Sequence, residues 1–246
     1  MEGFSMQAKS ALGLALIGFS WAFLQPQSFA QTAKTQLKTP ATAQPARLDA
    51  DLSLSKIYIK VASSTRLGHD HGVVGQLQSG WVVLGTGGEL VFAMKTLITD
   101  TPEARQYVGL KSTVKDSDQK KSTSNMLRPE VLNFQKYPLA TFKIDSCEPA
   151  DGQSPGGTGN YKVSGTFTLR GASQPLAFNA RVEPTSDPSA SRVSGVFAIK
   201  QTAYGITPYS AIGGLVGIED RLDIWGDFIM RASTTASKPS IPKVKR

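Results

Sequence analysis

Apolar and polar residues alternate along most of the chain, and this alternation predicts β-strands. The clearest example is the segment 161–170, with the sequence YKVSGTFTLR. Its large apolar residues share one face of an extended chain, whereas its Lys, Thr and Arg residues share the other. Seven further segments predict strands on the same grounds, namely 54–63, 74–84, 88–97, 140–147, 176–182, 192–200 and 221–231. We therefore expect an all-β domain of about eight strands.

Short turns such as 171–175 (GASQP) predict that neighbouring strands pair in antiparallel fashion. Eight such strands form either a sandwich or a closed barrel, and a barrel is favoured because closure leaves no exposed sheet edge. An eight-stranded barrel can hold one small ligand, but the pattern does not distinguish a hollow interior from a filled one. The apolar residues expected to point inward are Ile57, Ile59, Val61, Leu90, Phe92, Met94, Phe142, Ile144, Phe167, Leu169, Phe178, Phe197, Ile199, Ile224 and Phe228.

A short helical insertion is predicted between strands, over residues 98–138. Thr101 is followed by Pro102, which is typical of an N-cap and the first helical position. The segment 124–132 predicts one or two further helical turns. Trp225 and Ile229 fall on the polar face of the last strand, so we expect another segment to cover that face.

The N-terminus has the features of a secretory signal peptide. Lys9 precedes an apolar run over residues 11–24, and small residues flank the predicted cleavage site after Ala30. The run is shorter than the roughly 20 residues that span a bilayer, which favours cleavage over a membrane anchor. The residue directly after that site is Gln31 and not a cysteine, which excludes a lipid-anchored lipoprotein. The sequence therefore predicts a periplasmic or secreted protein.

Composition divides the rest of the chain into a flexible linker at 31–48, one domain at 49–232 and a disordered basic tail at 233–246. The formal charge of the 246 residues is +8, of which 31–48 carries +3 and 232–246 carries +4. The body is left with +1, which is not the basic face that nucleic-acid binding requires. The tails could make weak contact with an anionic membrane. The oligomeric state, a dimer included, is left open.

Candidate chemistry is restricted to a few residues. Cys147 is the single cysteine, so an internal disulfide is excluded, and nothing in the sequence indicates a nucleophilic triad or a cofactor. The two histidines, His69 and His71, flank Asp70 and point to the same side of an extended chain. A catalytic zinc site usually has three protein ligands, and a third would have to be a distant carboxylate. A hydrogen-bonded turn, a ligand contact and a metal site therefore all stay open for this cluster.

Several segments carry more specific motifs, in a fixed order. They are SKIYIKV (55–61), GHDHGVVG (68–75), ML (126–127) through NFQKYPLATF (133–142), VSGTFTLRGASQPL (163–176), AYGI (203–206) and VG (216–217). On these motifs the chain resembles the YceI-like family of exported lipid- or polyisoprenoid-binding proteins with a lipocalin-like barrel. The resemblance covers residues 50–231. It departs from the family pattern at 133–135 (NFQ), where the family has an aspartate after the aromatic residue.

The resemblance implies that the inward-facing residues line an apolar tunnel for an isoprenoid or fatty-chain amphiphile. It also makes His69 and His71 candidates for polar contacts at the tunnel mouth. The expected role is then binding, with no catalytic residue, metal or cofactor. Two alternatives stay open, which are a metal-dependent enzyme centred on the two histidines and an interaction module with a filled core.

Overall fold

The computed structural model describes residues 47–150 and 157–233. The strands are β1 (Arg47–Ala50), β2 (Lys56–Ser63), β3 (His71–Val83), β4 (Gly87–Ala93), β5 (Ile98–Thr99), β6 (Leu139–Pro149), β7 (Gly159–Leu169), β8 (Ala172–Pro184), β9 (Ala190–Lys200), β10 (Ser210–Ala211) and β11 (Val216–Ala232). The α-helices are α1 (Pro102–Tyr107) and α2 (Asp116–Leu127). The predicted signal peptide, nearly all of the linker and all but one residue of the tail lie outside the described residues.

Eight of the strands close into one antiparallel barrel. The order is β2, β3, β4, β6, β7, β8, β9 and β11, and β11 pairs with both β9 and β2. This confirms the predicted all-β, eight-stranded antiparallel barrel with a short helical insertion. We call the end at which β2 ends and β3 begins the upper end; β4 and β9 end there, and β6 and β11 begin there.

The first strand starts inside the segment predicted to be a linker. β1 pairs with β11 and with β3, with Leu48 opposite both Ala232 and Val82. Leu48 packs against the core, and the Arg47 guanidinium lies 4.7 Å from the centre of the Trp81 ring. These long-range contacts order Arg47 and Leu48, although their local composition is that of a tether.

The helical insertion contains both predicted helices, one of them shifted. Thr101 caps α1 by accepting a hydrogen bond from the Ala104 backbone N–H at 3.0 Å, which confirms the predicted start with Pro102 in the first turn. The prediction for 124–132 was wrong in position, because α2 begins at Asp116 and ends at Leu127. None of the helices in the described residues is long and apolar enough to cross a membrane.

The segment that contains α1 covers the outer face of β2, β3 and β11. Tyr58 and Val74 form a small second core there with Ala104 and Val108, and the partly buried Trp225 packs against it. This explains the apolar Trp225 on an otherwise polar face, while Ile229 on the same face is partly exposed. The insertion is therefore held against the barrel wall next to the upper end.

Candidate ligand-binding cavity

The barrel contains a cavity of about 210 Å³ near its upper end. Most of the lining is apolar, and the polar side chains among the lining residues are His71, Thr99, Ser122, Asn125, Gln201 and Tyr209. An engineered apolar cavity of about 150 Å³ is large enough to admit benzene. The space is therefore suited to a hydrocarbon segment, with a few polar groups available to orient the rest of a ligand.

Ten of the fifteen residues predicted to line a tunnel border this cavity. They are Ile57, Ile59, Val61, Phe92, Met94, Phe167, Leu169, Phe197, Ile199 and Ile224. The other five lie outside the lining: Leu90, Phe142, Ile144 and Phe228 are buried in the packed part of the core, and Phe178 is partly buried against it. Aromatic contacts fill that part, with ring centres 5.7 Å apart for Phe142 and Phe178. The barrel is thus hollow in one region and packed in another, which a period-two pattern cannot distinguish.

Sequence reasoning did not identify the lining residues that come from the insertion. Ser122, Asn125 and Met126 of α2 border the cavity, as do Val131 and Leu132 just after it. The signal for them was the pair of apolar dipeptides at 126–127 and 131–132 in an otherwise polar stretch. The insertion therefore forms part of the cavity wall at the upper end.

Two hydroxyl groups connect α2 to the barrel. Thr123 Oγ1 accepts a hydrogen bond from the Thr99 backbone N–H at 3.1 Å and lies 3.0 Å from Thr99 Oγ1. The Thr99 hydroxyl also donates to the Gln119 carbonyl at 3.2 Å. No residue of α2 is fully buried, so these hydrogen bonds add to the packing of Met126 and Leu127 against the core in holding the helix to the barrel.

We place the mouth of the cavity at His71 and Tyr209, two lining residues that are partly open to solvent. The side chain of His71 is 21% exposed, and Tyr209 is 46% exposed although it lines the cavity. His69 is exposed and does not line the cavity, but its ring centre lies 4.5 Å from that of His71. Of the two histidines predicted at the mouth, His71 borders the cavity and His69 stands beside it.

A buried carboxylate lies directly behind His71. His71 Nδ1 is 2.5 Å from Asp100 Oδ2, and Asp100 Oδ1 accepts from Arg105 Nη1 at 2.6 Å and from the Gly72 N–H at 3.2 Å. Burial alone would raise the pKa of Asp100, but hydrogen bonds from His71, Arg105 and Gly72 outweigh it and hold the pKa below its ordinary value. Asp100 therefore carries a charge that fixes the orientation of His71.

Arg105 joins this carboxylate to the surrounding loops. Its guanidinium donates to the Asp70 carbonyl at 3.1 Å and to the carbonyl and hydroxyl of Ser112, each at 2.5 Å. The side chain is only 4% exposed, so its charge is balanced by Asp100 rather than by water. Arg105, a buried cation on α1, thus connects this helix to Ser112 in the segment after it and to residues 68–71, which we call the histidine loop.

Cys147 is not a candidate nucleophile. It is buried on β6, and desolvation raises the pKa of its thiol, which disfavours the nucleophilic thiolate. These surroundings suit a structural strand residue and not a nucleophile.

Comparisons with known proteins agree with the fold. The family model described as a YceI-like domain matches residues 69–228. A polyisoprenoid binding domain from Saccharophagus degradans superposes with a TM-score of 0.52 at 15% identity, covering 76% of this chain and 99% of that one. BcnA from Burkholderia cenocepacia superposes with a TM-score of 0.48 at 16% identity, covering 74% of this chain and 99% of that one. A YceI protein from Campylobacter jejuni superposes with a TM-score of 0.40 at 14% identity, covering 60% of this chain and 72% of that one. A comparison with curated proteins finds no match.

Proposed function

The chain belongs to the family of YceI-like domains, and we propose that its barrel binds the hydrocarbon chain of an isoprenoid or another long-chain amphiphile. The observation that carries the proposal is the apolar cavity at the upper end, which opens beside polar side chains. The resemblance of the fold to a polyisoprenoid binding domain supports the same ligand class. The chain would act as a carrier or buffer of this ligand.

Hydrophobic transfer is sufficient to drive such binding. Each CH₂ group that leaves water contributes about 0.8 kcal/mol, so about ten buried groups offer roughly 8 kcal/mol before the costs of association. A cavity of about 210 Å³ accommodates only a short segment of a long chain. The remainder would have to displace side chains of α2 or extend through the mouth, which makes the insertion a candidate lid.

The proposal assigns no bond-making step to the site. YceI-like domains form a family of binding domains, and this supports a role without catalysis. We further propose that residues 1–30 direct export and are removed after Ala30, so that the ligand is held in the periplasm or outside the cell.

Native mass spectrometry of the full-length gene product, purified without detergent from the periplasm of an expressing bacterium, tests these proposals together. We expect a bound small molecule that solvent extraction releases as an isoprenoid or acyl compound. We also expect a polypeptide mass that begins at Gln31. The Val61→Phe variant, which fills part of the cavity, is the matched control and should carry much less ligand.

A protein that contains no bound molecule, and acquires none on incubation with isoprenoid alcohols and fatty amides, would exclude the carrier role. A ligand retained equally by Val61→Phe would mean that it binds elsewhere. A polypeptide mass that still includes residues 1–30 would contradict cleavage without affecting the ligand result.

A further inference from the structure

We propose that His69, His71 and Asp100 bind one divalent transition-metal ion of the Zn²⁺ class at the mouth of the cavity. Each residue offers one ligand atom, and these atoms all lie within 4.8 Å of one another. Ligand atoms around a tetrahedral zinc ion, each about 2.0–2.2 Å from the metal, are about 3–4 Å apart. Small side-chain rotations are therefore enough to close the three groups around one ion.

The two imidazoles are brought together by local geometry. His69 and His71 are separated by one residue where the loop before β3 enters the strand, and their side chains lie side by side. Their ring centres are 4.5 Å apart and the ring planes are inclined by 53°. Asp70 points elsewhere, because it accepts from the Ser63 backbone N–H at 2.9 Å and pairs with Lys60 at 3.3 Å.

The third ligand comes from a segment that is distant in sequence. Pairing of β5 with β3 places Val73 opposite Thr99, and this puts Asp100 next to the histidine loop. Asp100 has a positive φ of 54°, a conformation that Asp tolerates better than most residues, and its backbone N–H donates to the Gly72 carbonyl at 2.5 Å. The backbone is therefore shaped to aim this carboxylate at the imidazoles.

Arg105 prepares the carboxylate to act as a ligand. It donates to Oδ1, as does the Gly72 N–H, and this leaves Oδ2 on the side of His71. Carboxylates that bind metals are commonly held by such outer hydrogen bonds, which fix the orientation of the coordinating oxygen. Arg105 also offsets the charge of Asp100, so the loaded site would keep an excess of positive charge.

Three protein ligands leave at least one coordination position open. Because His71 also lines the cavity, that position is next to the mouth, where an oxygen donor from an anionic head group could occupy it. This last step rests on the proposed function, whereas the metal site itself does not. The ion is proposed as a binding element and not as a catalyst.

Equilibrium dialysis of untagged, delipidated and chelator-treated protein against ZnCl₂ tests the site, with metal counted by elemental mass spectrometry. We expect one equivalent of zinc per chain. His69→Ala and His71→Ala should each weaken binding at least tenfold, and Asp70→Asn should bind like the wild type. Co²⁺ loaded in place of zinc should give a visible absorption band of low-coordinate cobalt that both histidine variants lose.

Failure to retain stoichiometric zinc would overturn the proposal, as would equal binding in the wild type and the two histidine variants. His69 is exposed, so its variant is expected to fold, and circular dichroism checks this. Asp100→Asn provides a further comparison if it folds, with weaker zinc binding expected. Since the assay contains no lipid, a negative result here would leave the lipid-binding result standing.

Discussion

Arg105 and Asp100 form an ion pair at 2.6 Å between side chains that are only 4% and 0% exposed. Removing one partner from such a pair leaves an uncompensated charge in the interior, which typically costs about 3–5 kcal/mol. Arg105→Ala should therefore lower the free energy of unfolding by about that amount. Urea denaturation followed by tryptophan fluorescence measures the change.

The comparison for this variant is Arg181→Ala. Arg181 pairs with Glu183 at 3.1 Å, but its side chain is 67% exposed. Exposed pairs contribute about 0–1 kcal/mol, so this change should be small. Equal losses in the two variants would mean that the Asp100 network does not stabilise the fold.

The hollow and packed parts of the barrel should respond differently to added volume. Val61 lines the cavity, whereas Val163 is buried on β7 opposite Cys147 and Phe178. Val163→Phe should cost about 1–3 kcal/mol because a packed site must distort to accept the ring. Val61→Phe should leave stability nearly unchanged and reduce ligand capacity. Unfolding curves for the two variants provide the test, and equal destabilisation would argue that the cavity is closed in solution.

Hydrogen bonds between Thr99 and Thr123 should slow the release of a bound chain, if α2 is a lid. Thr123→Ala removes the acceptor that lies 3.1 Å from the Thr99 backbone nitrogen. A net loss of about 1 kcal/mol would raise the release rate about fivefold. Stopped-flow displacement of a fluorescent isoprenoid alcohol measures that rate. The exposed neighbour Ser124, changed to Ala, serves as the control, and a similar rate in both variants would contradict a lid role for this contact.

Acid should weaken the ion pairs that Arg231 on β11 forms with Asp187 and Asp51. Hydrogen bonds from Ser189 and then Arg231 lower the pKa of Asp187 to about 2, and Ser53 and Arg231 lower the pKa of Asp51. A carboxylate whose folded-state pKa lies below its unfolded value of about 3.9 stabilises the fold above that value. The contribution of Asp187 is lost as the pH falls from about 4 to about 2.

The test of this pH dependence is thermal unfolding between pH 6 and pH 2. Asp187→Asn should flatten the curve of Tm against pH in the acidic window while leaving its shape above pH 5 unchanged. Parallel curves for the variant and the wild type would show that Asp187 does not contribute to the acid response.

Most of the barrel could be predicted because burial on one face imposes a period of two on each strand. The pattern over 161–170, for example, corresponds to a strand whose apolar side chains are inside, at Tyr161, Val163, Phe167 and Leu169. The helix α2 was misplaced because residues 116–125 are all polar, so no apolar period marks the helix before Met126 and Leu127 at its end. Its start was indicated only by Asp116 and Asp118, acidic residues that suit the first turn of a helix.

The sequence alone indicated two of the three residues of the proposed metal site. His69 and His71 stand out as the only histidines, but nothing local shows that Asp100 lies behind them. That contact depends on the pairing of β5 with β3 across the chain. The cavity boundary likewise depends on which aromatic rings reach across the barrel, and such packing is a property of the assembled core.

The closure of the barrel joins the two ends of the domain. The hydroxyl of Ser55 accepts from the Ile229 backbone N–H, across 174 residues, and β2 lies along β11 over most of its length. Contacts this distant in sequence carry a high entropic cost before they form, and proteins that depend on them fold slowly. The barrel therefore cannot close until β11 has been synthesised and has left the ribosome, so the earlier strands wait in the nascent chain without their final partner.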